Sequence, residues 1–324
     1  MMKLAILGAG NWGTTLAIML SEKAEVNLWT IEGIEDRENK KYLPGYQIPN
    51  QVTISSDLKR VLEGVKLLIF ALPSQALRDV AKAGAFESKA ILLSMTKGIE
   101  NQSLKRMSEI LAEETEVPEK QICVLSGPTI AREIVQGLPA SCVCACKDIK
   151  SAETVQQLFS SPVFRVYTST DVIGVELGGA LKNVIVIAAG ICDGIGLGAN
   201  AKGALLSRGL REISRLGECL GADPKTFAGL SGIGDLITTS FSKHSRNRKV
   251  GEQIGKGRKL QETLNDMAEV AEGVPTTRAA FELSQKHKVS MPITHEIYRV
   301  LFEGKPPQQA ITDLMIREPK PETL

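Results

Sequence analysis

The chain has 324 residues, 43% of them hydrophobic and 23% charged, and carries a formal net charge of +2. That length accommodates two domains with ordinary cores, and the composition excludes disordered and fibrous classes. So small a charge sets up no global field for nucleic acid or an anionic membrane, and affinity for anions has to come from local sites.

The chain opens on a short apolar run, Lys3 to Leu7, then Gly8-Ala9-Gly10-Asn11-Trp12-Gly13, then the helix-forming stretch Thr14 to Leu20. A strand, a GxGxxG turn and a helix in that order are the context in which the glycines predict a dinucleotide site. Gly8 permits the tight turn, Gly10 lets the backbone approach a pyrophosphate, and Gly13 lets the helix pack on the strand. The phosphates then meet the unpaired N–H groups and positive dipole end of a helix. Because Gly8 breaks the first apolar run before it could act as a signal segment, a cytoplasmic protein is expected.

Glu25 to Trp29 reads as the second strand of a βαβ unit, and the residues after it choose the cofactor. A carboxylate there suits the ribose hydroxyls of NAD, and an arginine suits the 2′-phosphate of NADP. Thr30-Ile31-Glu32 supplies a carboxylate, while Arg37, Lys40 and Lys41 are near enough in sequence to help a phosphate. The balance leans to NAD, with Glu32 as an exposed loop charge the plain alternative.

Proline and glycine mark Tyr42 to Asn50 as an ordered loop. Lys66 to Ala71 is a buried strand leading into Leu72-Pro73-Ser74, with Ser74 expected as an N-cap. Ala90 to Met95 runs into Thr96-Lys97-Gly98, and Gln121 to Leu125 runs into Ser126-Gly127-Pro128-Thr129. Loops at the carboxyl ends of parallel strands bind ligands, which places Lys97, Gly127 and Thr129 at the binding edge; a solvated Lys97 is the competing reading. Ser141 to Cys146 and Val163 to Tyr167 add two strands around the amphipathic segment Ser151 to Phe159. Cys142, Cys144 and Cys146 alternate onto one strand face without CxxC spacing or partnering histidines, so burial is expected and metal binding is not; six cysteines suit a reducing compartment.

Helical spacing takes over from Asp171, with Val175, Leu181, Ile185 and Ile187 in one run and Leu205, Leu206, Leu210, Ile213 and Leu216 in another. The expected organisation is α/β, a Rossmann-type mainly parallel sheet in residues 1–170 followed by an all-helical substrate-binding domain in 171–324, with a small-substrate cleft between them. The most apolar later run, Val184 to Cys192, is shorter than the roughly 20 residues that span a bilayer and reads as a buried helix, with no membrane span.

Paired glycines at Gly178-Gly179 each cost about 1 kcal/mol in a helix relative to alanine, so something approaches closely there. Were the nearby Lys182 to face the cleft, burial and the charge of Lys97 would lower its pKa toward the range of a general acid/base. Asp193 to Asn200 is glycine-rich but follows a helix, so a flexible connection near the cleft is expected and not a second nucleotide loop. Lys243 to Lys249 is a basic cluster opening a helix, with Ser245 able to cap and Arg246 able to bind phosphate oxygens. No aromatic residues are interleaved with it, which argues against nucleic acid.

The motifs GAGNWGTTLA, TKG, SGPTIAREI, IGVELGGALKNV, DGIGLGANAK, GLSGIGDL, SRNRKVG and EGVPTT occur in this order between Gly8 and Thr277. Carrying them, the chain resembles the bacterial NAD(P)-dependent glycerol-3-phosphate dehydrogenases over essentially its whole length. The resemblance implies reversible hydride transfer between NAD(P)H and dihydroxyacetone phosphate, giving sn-glycerol 3-phosphate for phospholipid synthesis. It makes Lys182 the acid/base, Lys97 the charge that polarises the carbonyl beside cofactor and substrate, and Asp235 the carboxylate that orients Lys182. It further implies a phosphate clamp of Arg246 and Asn247 with Gly127, Thr129 and Ser245 beside it, and extra substrate contacts at Asn183 and Thr239. Cofactor contacts fall at Gly8, Gly10, Asn11, Trp12, Gly13, Glu32, Lys97, Ala131, Arg246 and Glu272.

This chain departs from the family after its second strand, where Thr30-Ile31-Glu32 and a short segment replace the usual Arg or His and longer helix. Two other readings stay open: a related two-domain hydroxy-acid dehydrogenase, and a non-catalytic NAD-binding sensor. The partner expected is a small phosphorylated molecule, with a homodimer as the assembly considered.

Overall fold

The computed structural model describes residues 1–84, 86–319 and 321–322. Its first part alternates strand and helix: β1 (Met2–Leu7), α1 (Asn11–Leu20), β2 (Ala24–Trp29), β3 (Thr53–Ser55), α2 (Leu58–Leu62), β4 (Leu67–Phe70), α3 (Leu77–Ala83) and β5 (Ile91–Ser94). It continues through α4 (Met107–Glu114), β6 (Ile122–Ser126), α5 (Ala131–Val135), β7 (Ala140–Cys146), α6 (Ile149–Phe159) and β8 (Phe164–Ser169).

The strands form one sheet in the order β3-β2-β1-β4-β5-β6-β7-β8. Every pairing is parallel except β6 with β7, so β7 and β8 run against the first six strands. Parallel strands have both faces covered, which explains the continuous apolar runs. One face packs Leu4, Ile6 and Ile69 with Leu16 of α1 and Phe159 of α6. The other packs Leu7, Leu68 and Phe70 with Leu77 of α3 and Ile110 of α4. Cys142, Cys144 and Cys146 are fully buried in the first of these cores.

The second part is helical: α7 (Val172–Ile195), α8 (Gly198–Cys219), α9 (Asp235–Phe241), α10 (Arg246–Gly255), α11 (Leu260–Asn265), α12 (Gly273–His287), α13 (Pro292–Phe302) and α14 (Pro307–Met315). Residues 320, 323 and 324 of the expected 171–324 unit lie outside the described residues. Asp171 caps α7 by accepting from Gly174 N at 2.9 Å, and Gly196 ends it in the left-handed conformation. Between those caps every residue from Gly174 to Cys192 is buried. The apolar run Val184 to Cys192 is thus only part of a 24-residue helix that is long and apolar enough to cross a bilayer, but 94% of its most apolar window lies inside the protein. A helix apolar all round is a core helix when other helices surround it, as α8, α9, α10, α12 and α13 do here.

The crossing of α7 and α10 explains a sequence feature read differently above. Gly190 and Gly194 on α7 face Gly251 and Gly255 on α10, and a Cβ on Gly190 would lie 2.1 Å from Arg248 O, one on Gly251 2.0 Å from Ile187 O. Small residues four apart on both helices let the backbones touch. Asp193 to Asn200 is accordingly not a flexible connection. Asp193 and Gly194 belong to the last turn of α7, where Asp193 accepts from Lys202 at 2.8 Å and from Arg248 at 2.7 Å.

Glu176 joins the two parts. Buried on α7, it accepts from Arg106 at 2.8 Å and from Ser108 N at 2.7 Å at the start of α4. The helix crossing yields a stability test. Gly251→Val should destabilise the fold by about 3 kcal/mol in urea denaturation, because no flexible neighbour can yield. Gly203→Ala, on an exposed face of α8 with nothing within 4 Å of the added Cβ, should stabilise it by up to about 1 kcal/mol. Equal effects of the two would reject the close-contact account.

Candidate active site

The glycine turn divides its labour among three positions. Gly8 has a φ of 106°, and a Cβ there would sit 2.5 Å from Ala71 O. At Gly13 a Cβ would sit 1.8 Å from Gly8 O, so α1 can approach the turn only without one. Gly10 has nothing within 4 Å of its missing Cβ and opens onto a cavity. Asn39 braces the turn by donating to Ala9 O at 2.7 Å and to Thr14 Oγ1 at 2.8 Å. Asn11 Oδ1 is buried with no partner among the described residues. An open floor and the unpaired N–H groups at the N-terminus of α1 fit the pyrophosphate end of a dinucleotide.

Across the cavity, Asp235 stands at the first position of α9, directly after a π-helical turn spanning Leu230–Gly234. Its Oδ1 accepts from Lys182 Nζ at 2.7 Å and its Oδ2 from Lys97 Nζ at 2.7 Å. Thr239, one turn on, donates to Asp235 Oδ1 at 3.1 Å and accepts a short hydrogen bond from Lys182. Lys97 comes from the loop after β5 and also donates to Gly127 O at 3.0 Å and Thr129 Oγ1 at 3.5 Å.

The paired glycines make this meeting sterically allowed. A Cβ on Gly178 would be 2.7 Å from Ser231 O, and one on Gly179 would be 2.3 Å from Ser126 Oγ and 3.6 Å from Lys97 Cγ. Burial, reinforced by the charges of Lys97 and Arg246 and opposed by Asp235, lowers Lys182 to about 8. Burial pushes the Asp235 carboxyl up, but Lys182 and Lys97 together outweigh it and hold it below its ordinary value.

The third wall is the start of α10. Ser245 caps it by accepting from Arg248 N at 3.2 Å. Asn247, buried, accepts from Gly273 N at 2.8 Å through Oδ1, which leaves its amide N–H groups for another acceptor. Half-exposed Arg246 donates to Val270 O at 2.9 Å and pairs with Glu269 at 3.3 Å. Asn183 is buried beside Lys182, its Nδ2 3.5 Å from Gly179 O.

One cavity of ≈ 700 Å³ is lined by Gly8, Gly10, Asn11, Trp12, Glu32, Lys97, Thr129, Ala131, Lys182, Asn183, Asp235, Thr239, Ser245, Arg246, Asn247 and Glu272. Gly13 lies beneath it. Gly127, at a φ of 141°, contributes its carbonyl to Lys97 from outside the lining.

Two expectations about single residues change. Ser74 does not cap a helix; its N–H, at 2.8 Å, and its hydroxyl both donate to Glu272. Burial raises the Glu272 carboxyl above its ordinary value, with the two Ser74 bonds opposing. Arg37 faces away from the cavity, donating to the carbonyls of Ile48 at 2.9 Å, Pro49 at 2.6 Å and Val52 at 2.7 Å. Glu32 lines the cavity, and its Oε1 accepts from Lys41 at 2.7 Å and the Tyr42 hydroxyl at 3.2 Å. Sequence reasoning missed Glu269, Tyr42 and the Ser74–Glu272 contact. Each contact joins elements that are separate in the chain or meet across a loop, and no periodicity encodes that approach.

Residues 3–152 match the family profile described as NAD-dependent glycerol-3-phosphate dehydrogenase N-terminus, and residues 171–312 match the one described as its C-terminus. Relatives named glycerol-3-phosphate dehydrogenase (NAD(P)+) are 49% identical to the chain in Chlorobium phaeobacteroides, over 99% of both proteins, and 49% identical in Pelotomaculum thermopropionicum, over 97% of this chain and 93% of that one. The crystal structure of glycerol-3-phosphate dehydrogenase from Coxiella burnetii superposes with a TM-score of 0.93 at 37% identity, covering 98% of this chain and 99% of that one. With a glycine turn, a buried Lys–Asp–Lys bridge and a capped basic helix start around one cavity, and with these matches along nearly all of its length, the chain belongs to the NAD-dependent glycerol-3-phosphate dehydrogenase family.

Proposed function

We propose that this chain transfers a hydride reversibly between NAD(P)H and dihydroxyacetone phosphate, producing sn-glycerol 3-phosphate for phospholipid synthesis. The observation that carries the proposal is the buried carboxylate of Asp235 held between Lys182 and Lys97 on the wall of the cavity that the glycine turn opens into. The nicotinamide cofactor, when bound, supplies the hydride. The chain's own residues handle the proton and the charge.

With a pKa near 8, Lys182 is mostly protonated at neutral pH and gives up its proton more readily than an ordinary lysine. It donates to the ketone oxygen in reduction and takes the proton back from the hydroxyl in oxidation. Asp235 fixes the direction of the ammonium group and Thr239 accepts one of its other N–H bonds, so the Lys182 head is positioned by two partners. Lys97 adds a second positive charge where the carbonyl oxygen becomes negative. Arg246 and Asn247 hold the substrate phosphate at the N-terminus of α10, with the capped turn and helix dipole reinforcing them. In this reading residues 1–170 bind the dinucleotide, residues 171–324 bind the substrate, the enzyme is cytoplasmic, and a homodimer is the assembly to be tested by sedimentation.

Lys182→Ala should lower kcat by about 10³-fold and also lower the melting temperature, because buried Asp235 loses one of its two cations, while cofactor binding stays measurable. Retained turnover would reject Lys182 as the acid/base. Reduction draws on the protonated lysine and oxidation on the neutral one, so kcat for reduction should fall, and kcat for oxidation rise, as pH increases through about 8. A reduction profile that stays flat through that region assigns the proton to another group. Arg246→Ala should raise KM for dihydroxyacetone phosphate by about tenfold to a hundredfold. Steady-state assays with a 2-oxo acid beside dihydroxyacetone phosphate separate the hydroxy-acid reading, which requires the acid to be preferred. Turnover of neither compound with NADH or NADPH would leave the sensor reading.

A further inference from the structure

The loop after β2 holds a pair of opposite charges on the cavity wall whose arrangement bears on which dinucleotide can bind. Thr30 fixes the loop, its hydroxyl donating to Glu32 O at 2.7 Å and accepting from Glu32 N at 3.2 Å. That local turn presents the Glu32 carboxylate to the cavity. Lys41 and the Tyr42 hydroxyl both donate to the same oxygen, Oε1. Among the described residues Oε2 has no hydrogen-bond donor, so one acceptor oxygen stays available to a ribose diol.

Lys41 is held only from that side. Its ammonium group carries two further N–H bonds and lies 4.8 Å from the Tyr42 ring centroid, and the side chains of Lys41 and Glu32 are 48% and 46% exposed. Neighbouring Lys40 also lines the cavity and pairs with the highly exposed Asp36 at 3.3 Å. Arg37, bound to three backbone carbonyls, is not free to serve a phosphate. The cations facing this end of the cavity are therefore lysines on solvent-screened pairs, which are held weakly.

We propose that Glu32 and Lys41 form one reversible element that lets the cavity accept either dinucleotide, Glu32 favouring the free ribose diol and Lys41 admitting the 2′-phosphate. This rests on the dinucleotide reading of the cavity. With a diol the pair stays closed and Oε2 accepts from a hydroxyl. A phosphate dianion is repelled by Glu32 and attracts Lys41, so the lysine changes partner from one anion to the other, and half-exposed Glu32 keeps the Tyr42 hydroxyl and solvent. The contact with Glu32 keeps Lys41 pushed up to about 12, and Lys41 keeps Glu32 below its ordinary value, so both are charged throughout the neutral range.

The test uses the full chain and two fragments, 5′-AMP and adenosine 2′,5′-bisphosphate, with affinities read by titration calorimetry and needing no turnover. Lys41→Ala should weaken the bisphosphate by about tenfold and change 5′-AMP by less than about threefold. Glu32→Gln should do the reverse, tightening the bisphosphate several-fold and weakening 5′-AMP. Both side chains are half exposed, and matching melting curves confirm that the variants fold. Equal weakening of both fragments by Lys41→Ala, or an unchanged bisphosphate affinity, overturns the proposal. Failure of the unaltered protein to bind the bisphosphate overturns it too, and failure to bind either fragment overturns the dinucleotide reading with it.

Discussion

A carboxylate taken out of water is tolerable only if positive charge comes with it, and Asp235 is 2% exposed. Much of the site's architecture follows from that constraint. Lys182 has to come from the centre of α7 and Lys97 from the loop after β5, so the helical part and the sheet are bound together at the reacting centre. The approach is close enough to exclude side chains at Gly178 and Gly179. The π-helical turn before α9 brings the Ser231 carbonyl to the first of these glycines and sets Asp235 at the head of its helix. Removing either lysine leaves a buried charge half matched, which couples folding of this region to the same groups that handle the proton.

Around the bridge, positive potential is concentrated without a basic chain. Lys97, Lys182, Arg246 and the N-termini of α1 and α10 converge on a single cavity in a protein of net charge +2. Only one of the neighbouring carboxylates, Asp235, sits between lysines. Glu272 is held differently, by two hydrogen bonds from Ser74, and Glu176 by Arg106 and Ser108. Glu176 stands on α7 and Glu272 at the N-cap position of α12, and both accept from the sheet part, so each helps to fix the relative position of the two parts.

The sequence carried much of this architecture, to different depths. Strands β1, β4, β5 and β6 were legible because strands buried on both faces are continuously apolar, and the glycine turn because a tight backbone contact leaves no residue choice. The three-residue β3 and the helices α2 to α5, of five to eight residues, have too few positions for a period to register. The reversal at β7 was equally hidden, because alternation shows a strand's faces and not its direction. Ser74 and Arg37 were misjudged for a common reason: each is a polar residue whose partner lies outside its own element, Ser74 contacting Glu272 far along the chain and Arg37 contacting carbonyls across a loop. The glycines around Gly194 were misread because a glycine chosen for contact and one chosen for freedom look alike until the opposing helix is known. Lys182, Asp235 and Arg246 were placed in one site through their motifs, and spacing alone held no record of the bridge between them.

The burial of α7 also has a meaning for the order in which the chain is made. Its flanking helices α8, α9, α10, α12 and α13 are all encoded after it, the last ending at Phe302. When Ile195 leaves the ribosome, a 24-residue apolar helix is finished, β6 and β7 can cover one side of it, and the helices that cover the rest do not yet exist. At roughly 5–20 residues per second, that interval lasts on the order of ten seconds. A sheet that can close on its own first residues is therefore followed by a segment whose remaining apolar face stays exposed until the later helices are made, the condition under which nascent chains aggregate.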